Sequence, residues 1–109
     1  MSRGELCTCY VRLSGKATAD GLRAALIKAY AASPFVRVVE AGVIPATQHV
    51  RGSNFCHIGV FADRLKDRAI VFSVIDNLVK GSAGQALQNF NLMHGFDETL
   101  GLEQLPLFP

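Results

Sequence analysis

The feature of this 109-residue chain that most constrains its fold is an apolar run that leads through a polar turn into a glycine-bearing helix. Residues 69–75 are apolar except for one serine, as in a buried strand. Asp76 and Asn77 form a turn signal that ends this strand. Residues 81–84 are all small, and apolar residues then recur at helical spacing, which predicts a helix over residues 83–94.

The polar turn and the helix start together predict an anion site. The first N–H groups of a helix and the positive end of its dipole attract negative charge, and Gly81 and Gly84 let a ligand approach the backbone closely. A second interpretation is structural: Ser82 caps the helix, the two glycines allow tight packing, and Lys80 is solvated. The residues alone leave both interpretations open, because short glycine motifs are weak evidence.

Composition and charge argue against several classes of protein. Half of the residues are apolar, so a chain of this length can bury one core and is expected to form one compact unit. A net charge of +2 is too small to indicate a nucleic-acid or membrane partner. Three cysteines, with no secretory signal at the first residues, favour reduced thiols and a cytoplasmic location.

The first half of the chain predicts a strand, a helix and a second strand. The first strand covers residues 6–13, and Thr18 is the expected N-cap of the helix. The helix should end near Pro34, because proline disfavours helical geometry in the residue before it. A second strand is predicted over residues 35–40.

The second half predicts a loop, a hairpin and a final helix. Residues 41–54 are rich in turn-forming residues and are expected to form a surface loop. Residues 55–61 and 69–75 are the strongest strand predictions, and an antiparallel hairpin is their simplest arrangement. After the helix, residues 95–109 are expected to pack in extended form on the surface.

The cysteines offer two candidate chemistries, and packing is favoured over both. Cys7 and Cys9 share one face of the predicted first strand and could begin a metal site, but a zinc site needs more ligands, so we expect buried core thiols. Cys56 precedes His57, which could activate it as a nucleophile. Neighbours in a strand point to opposite faces, so we expect Cys56 to be a packing residue.

Residues 74–89 (VIDNLVKGSAGQALQN), followed by residues 91–93 (NLM) and 95–102 (GFDETLGL), resemble the C-terminal signature of N-acetyl-gamma-glutamyl-phosphate reductases. Aspartate-semialdehyde dehydrogenases carry a looser relative of the same element. In both families the element borders the nicotinamide cofactor and the substrate cleft.

The resemblance extends over nearly the whole chain. Residues 1–6 (MSRGEL), followed by a strand at residues 10–13, are similar to the middle of the reductase family, which implies that the chain is an N-terminally truncated piece. Residues 49–59 (HVRGSNFCHIG) are similar to a further family element. His57 stands where the family pattern has aspartate, which puts any role of that carboxylate in doubt.

The resemblance implies an α+β fold with a mixed, largely antiparallel sheet and helices on one face, as in the C-terminal dimerisation and substrate domain of semialdehyde dehydrogenases. It implies an NADP-dependent reduction of N-acetyl-glutamyl phosphate to the semialdehyde in arginine biosynthesis. The family's nucleophilic cysteine and general-base histidine lie upstream, so residues 1–109 are expected to be a single partial domain that is inactive alone. The helix over residues 82–94 is expected to pack on a missing NADP-binding domain.

The resemblance also implies site residues and a partner. No catalytic residue and no metal ligand is assigned, and self-association through the sheet is expected. The alternative is a free-standing, non-catalytic module that self-associates or binds a small ligand. The residues expected to bind the cofactor are Asn77, Gly81, Ser82, Gly84 and Gln85, and those expected to bind the substrate are Lys80, Arg51 and Asn54.

Overall fold

The structure is a computed structural model that describes residues 3–107, which form one four-stranded sheet and two α-helices. The regular elements, in chain order, are β1 (Glu5–Arg12), α1 (Ala19–Ala29), β2 (Val36–Val38), a short 3-10 helix (Thr47–His49), β3 (Cys56–Ala62), β4 (Arg68–Ile75), a π-helical turn (Val79–Ala83) and α2 (Gly84–Met93).

The sheet has four strands in the order β1-β4-β3-β2. β4 pairs antiparallel with both of its neighbours, β1 and β3, whereas β2 pairs parallel with β3. The predicted α+β fold with a mixed, largely antiparallel sheet is confirmed, and so is the predicted hairpin of β3 and β4. β1 and β2 are the edge strands, and β1 has one edge without a partner strand among the described residues.

The two faces of the sheet have different surroundings. Ile58, Val60 and Ala69 are buried on the inner face, where α1 packs across β2 and β3. The outer face carries the alternate residues, among them Phe61 and Phe72, whose ring centroids lie 5.5 Å apart. The loop between β2 and β3 covers only part of the outer face, where Pro45 packs against Gly59 of β3.

The predicted start of α1 is confirmed, and its predicted end is wrong. Thr18 is the N-cap, and its Oγ1 accepts a hydrogen bond from the N–H of Gly21 at 3.0 Å. The helix ends at Ala29, before Pro34 is reached, because Tyr30 leaves helical geometry with ψ near 11°. β2 is likewise shorter than predicted, and residues 39–40 belong to the loop that follows.

Two further predictions need correction. Cys7 and Cys9 are exposed, because they lie on the edge strand β1, beyond the part of the sheet that α1 covers. The predicted extended tail instead contains turns, and it buries Leu102, which is 3 % exposed. Residues 108–109 of that prediction lie outside the described residues. None of the helices formed by residues 3–107 has the length and apolarity that a membrane span requires.

Candidate functional site

The site is organised around Asp76, a carboxylate with no exposed surface at the end of β4. One oxygen, Oδ1, accepts hydrogen bonds from the N–H groups of Leu78 at 2.8 Å and Val79 at 3.1 Å. The other, Oδ2, accepts from the N–H of Gly52 at 2.7 Å and forms an ion pair with Nε of Arg3 at 2.8 Å. Asp76 therefore joins the strand, the loop, the start of β1 and the helical segment.

These partners also control the charge of Asp76. Burial alone raises the pKa of a carboxylate, but the hydrogen bonds from Gly52, Leu78, Arg3 and Val79 together lower the pKa of Asp76 below its ordinary value. The group is therefore ionised at neutral pH and acts as the N-cap of the helical segment.

The helical segment begins earlier than the sequence predicts. The chain is helical from Val79, and the π-helical turn runs directly into α2. The N–H of Gly81 donates to the carbonyl of Asp76 at 2.9 Å, and the N–H of Gly84 donates to that of Val79. These N–H groups are thus already paired, and Asp76 occupies the positive end of the helix. The predicted role of Ser82 as a cap is also wrong, because Ser82 lies inside the π-helical turn.

Gly84 has a clear packing role. A Cβ atom at this position would clash with Oδ1 of Asn54 and would lie 2.7 Å from the carbonyl oxygen of Val79. At Gly81 an added Cβ would lie 3.2 Å from Cδ1 of Ile75, which is a milder contact. The absence of a side chain at Gly84 therefore lets α2 approach the loop before β3, as the structural interpretation of the motif requires.

Close approach of α2 creates a buried polar group that we call the Gln88 cluster, which consists of Asn54, Lys80, Gln88 and Glu98. Oε1 of Gln88 accepts from Nζ of Lys80 at 2.7 Å and from Nδ2 of Asn54 at 2.9 Å. Nε2 of Gln88 donates to Oε1 of Glu98 at 2.6 Å. Gln88 is only 8 % exposed. One amide thus connects two residues that the sequence predicts for substrate binding.

Lys80 is the cation of this cluster. Its Nζ lies 5.6 Å from the ring centroid of Phe35, within range of a cation–π interaction. Burial lowers the pKa of Lys80, and the electrostatic interactions with Cys56 and Glu98 oppose that shift. An ammonium group has three donors, and Gln88 takes one of them. Lys80 can therefore bind an anion without leaving Gln88.

The other predicted site residues are spread along the helical segment. Asn77 is exposed, and its Oδ1 accepts from the N–H of Gly4 at 2.7 Å, next to the entry of β1. Ser82 is exposed and Gln85 is half-buried, with Nε2 of Gln85 donating to Oδ1 of Asn89 at 2.9 Å. Arg51 is half-buried in the loop two residues after the 3-10 helix. The structure thus brings Lys80 and Asn54 together and leaves Asn77 and Gln85 on other parts of the surface.

A groove of about 310 Å³ runs beside the helical segment. It is mainly apolar and lies on the side of Gly84 that faces the tail. Its lining residues are Gly52, Leu78, Val79, Ala83, Gly84, Leu87, Gly101, Leu102 and Gln104.

The apolar side of α2 faces solvent. Phe90 is 49 % exposed and Met93 is 81 % exposed, whereas the buried positions of the helix are Gly84, Gln88 and Asn91. His94 stacks on Phe90 with ring centroids 4.3 Å apart, but it does not cover the helix. The predicted apolar stripe therefore exists, and the described residues leave it without a protein surface against it.

Cys56 and His57 do not form a catalytic pair. They lie on opposite faces of β3, where Cys56 shares the inner face with Ile58 and His57 is beside the ring of Phe55. Burial raises the pKa of the Cys56 thiol, although Lys80 partly offsets this, and burial lowers the pKa of His57. A protonated thiol is a poor nucleophile, which agrees with the predicted packing role.

Sequence reasoning missed three residues of the site: Asp76, Gln88 and Glu98. The sequence indicates Asp76 only as a turn residue, although an acidic residue three positions before the first helical residue, Val79, is a capping signal. Gln88 follows Gly84 by one helical turn, so the two lie on the same side of α2. That spacing was the available signal for a polar contact beneath the glycine. Glu98 carries no comparable local signal.

Comparison with known proteins places this chain in a family. The family model described as "Semialdehyde dehydrogenase, dimerisation domain" matches residues 1–77. Proteins named N-acetyl-gamma-glutamyl-phosphate reductase are 57% identical in Geobacter metallireducens, 60% in Rhodospirillum rubrum and 53% in Shouchella clausii, each over all 109 residues. The chain spans about a third of the length of these relatives, 31 to 32%, and corresponds to their C-terminal part.

Solved structures agree at the level of the fold. A crystal structure of aspartate semialdehyde dehydrogenase II from Vibrio cholerae superposes with a TM-score of 0.66. The match covers 85% of this chain and 27% of that one, at 18% sequence identity. The mixed sheet, the family match over most of the chain and the reductase signature lead to one conclusion: the chain belongs to the semialdehyde dehydrogenase dimerisation-domain family.

Proposed function

We propose that this domain belongs to an NADP-dependent N-acetyl-gamma-glutamyl-phosphate reductase that acts in arginine biosynthesis in the cytoplasm. In this proposal it forms the dimerisation and substrate part of the enzyme. The observation that supports it best is an identity above one half, over every residue of the chain, with relatives that carry this name.

Lys80 is the proposed contact for the anionic groups of the substrate. N-acetyl-glutamyl phosphate carries a phosphate and a carboxylate, and both prefer charged donors. Two donors of Lys80 are not needed by Gln88, and Asn54 lies in the same cluster. Arg51 lies three residues before Asn54 on the same loop and is the proposed second cation.

The surface of the helical segment is proposed to meet the nicotinamide end of the cofactor. The side chains of Asn77, Ser82 and Gln85 are at least partly accessible there, and Gly81 is exposed beside them, whereas Gly84 is buried beneath this surface. The proposed contact with the cofactor depends on side chains and on the shape of the surface, because the backbone N–H groups of Gly81 and Gly84 are already paired. NADPH would supply the hydride, and the residues of this chain bind, orient and exclude water.

The two exposed apolar surfaces have different proposed roles. The apolar side of α2, with Phe90 and Met93, is proposed to pack on the cofactor-binding domain of the whole protein. The outer face of the sheet, where Leu6 and Tyr10 are 45% and 62% exposed, is proposed to form the contact between two copies. The match to a dimerisation domain supports self-association.

The deciding experiment uses the natural reading frame that contains these residues. We expect the full-length product to oxidise the semialdehyde in a reaction that depends on phosphate and NADP, and residues 1–109 alone to be inactive. Turnover by residues 1–109, or no turnover by a folded full-length product, would contradict the proposal. A reading frame that starts at Met1 would instead favour the free-standing module.

A variant tests the assignment of Lys80. Lys80→Ala in the full-length protein should raise KM for the acyl phosphate more than KM for NADP, because a charge-assisted contact with the substrate is lost. Lys66→Ala, in the exposed turn between β3 and β4, is the control. Equal KM values for Lys80→Ala and the control would show that Lys80 does not bind substrate.

A further inference from the structure

The inference concerns the thiols of Cys7 and Cys9 on β1. Their sulfur atoms lie 3.6 Å apart, and both side chains are exposed on the inner face at the edge of the sheet. Every residue of β1 pairs with β4, with Cys7 opposite Ser73 and Cys9 opposite Val71. The sheet therefore fixes the two backbone positions, and the two sulfurs lie within hydrogen-bonding distance of each other.

A disulfide lies at the limit of this geometry. Two bonded sulfurs lie about 2.05 Å apart, so Cys7 and Cys9 would have to approach each other by roughly 1.5 Å. Residues i and i+2 of a strand are about 6.7 Å apart at Cα, which is at the upper limit of disulfide geometry. A disulfide within β1 would thus be strained while β1 stays paired with β4.

A bridging atom fits the spacing without such movement. Two sulfurs bound at about 2.3 Å to one atom lie about 3.3 Å apart at a right angle and about 3.8 Å apart at the tetrahedral angle, and the separation of Cys7 and Cys9 falls between these values. No group of three or more His, Cys, Asp or Glu side chains in the described part of the chain is arranged to hold a metal ion. The bound atom must therefore be one that needs only two protein ligands.

We propose that Cys7 and Cys9 form a two-thiolate site for one thiophilic atom, of the class of monosubstituted trivalent arsenicals. In the reaction with phenylarsine oxide, two As–S bonds form, the arsenic–oxygen bond breaks, and the oxygen leaves as water with the two thiol protons. Arsenic stays trivalent, so no oxidant or reductant is needed.

The proposal is independent of the reductase assignment. Cys7 and Cys9 lie on the inner face, whereas the proposed contact between copies uses Leu6 and Tyr10 on the outer face. Self-association of that kind leaves the thiols open. Cys56, which is half-buried and whose pKa is raised by burial, is an internal control thiol in the same molecule.

The test adds phenylarsine oxide to the 109-residue protein in excess glutathione and measures the intact mass. We expect one adduct per chain in the wild type and in Cys56→Ser, released by ethanedithiol. Affinity should fall by about 100-fold or more in Cys7→Ser and in Cys9→Ser, because the second thiolate binds as an intramolecular ligand. Equal affinity in either single variant would overturn the proposal.

A second measurement needs no variant. Maleimide labelling and peptide mapping of the wild type should show that the arsenical protects Cys7 and Cys9 and leaves the labelling of Cys56 unchanged. The Tm should rise on binding, since the ligand favours the folded spacing. Full labelling of Cys7 and Cys9 in the presence of the arsenical, or a lower Tm, would contradict a site built by the strand.

Discussion

The two helices of this domain bury opposite kinds of surface. α1 packs across β2 and β3 as an amphipathic helix, with Leu22, Arg23 and Leu26 half-buried and none of its residues fully buried. α2 buries Gly84, Gln88 and Asn91 and exposes Phe90 and Met93. This difference shows that polar contacts hold α2 in the domain. Its apolar side therefore remains available to pack against another surface.

The largest expected effect comes from the residues that cap the two helical segments. Asp76→Ala leaves the N–H groups of Gly52, Leu78 and Val79 without their acceptor and Arg3 without its ion pair, so the free energy of unfolding should fall by about 3 kcal/mol or more. Thr18→Ala removes one exposed capping hydrogen bond and should lower the free energy of unfolding by about 1 kcal/mol. Urea denaturation of both variants measures the difference. Equal losses would contradict the central role of Asp76.

The same substitution in the two helices should have different effects. Gly84→Ala places a methyl group against Asn54 and Val79, so the free energy of unfolding should fall by about 2 kcal/mol. Gly21→Ala in α1 meets only Oγ1 of Thr18, at 3.3 Å, and replaces a poor helix former, so the change should stay within about 0.5 kcal/mol. Thermal unfolding of both variants tests this, and a stable Gly84→Ala would show that α2 has room to shift.

Replacing an apolar residue by serine should also change the free energy of unfolding by different amounts in the two helices. Leu26→Ser in α1 removes an apolar contact with the sheet and should lower the free energy of unfolding by about 1.5 kcal/mol. Met93→Ser in α2 should change it by less than about 0.5 kcal/mol, because this side chain is 81 % exposed. A large loss for Met93→Ser in the isolated domain would mean that α2 has an apolar cover within the chain after all.

Acid should affect the two caps differently. The pKa of Asp76 is lowered in the folded state, so its contribution is present above the unfolded pKa of about 3.9 and is lost as pH falls through the folded pKa. One such group changes stability by at most about 1.4 kcal/mol per pH unit.

Urea titrations between neutral and acidic pH test this difference. The stability gap between the wild type and Asp76→Asn should narrow below about pH 4, whereas the gap for Thr18→Ala should stay constant, since a hydroxyl does not titrate there. Comparison with the variants separates Asp76 from Asp63 and Asp97, whose pKa values are also lowered. If the stability difference between the wild type and Asp76→Asn did not change with pH, Asp76 would not be ionised in the folded protein.

The sequence predicted well what depends on local pattern. The hairpin of β3 and β4 follows from two apolar runs around a charged turn, and Thr18 follows from its position before a helical stripe. The exposure of Cys7 and Cys9 could not be predicted in this way, because it depends on β1 being an edge strand that α1 does not reach.

The site could be predicted only in part, because several of its contacts join residues that are far apart in sequence. Lys80 and Asn54 meet at Gln88, but the pairing of the glycine N–H groups depends on a helix that starts earlier than residue 83. That early start results from the carboxylate of Asp76, whose partners include Gly52 and Arg3, far away in sequence. Glu98 was missed because its contact with Gln88 requires the tail to turn back onto α2.

The single amide oxygen of Gln88 that accepts from both Lys80 and Asn54 has a consequence for how this helix can evolve. Rotation of α2 about its axis would break both contacts at once, so its orientation is locked from beneath. The residues on its outward side are then free to vary in step with whichever neighbour they touch. A second surface can therefore dock on the outward side of α2 without disturbing the polar lock beneath it.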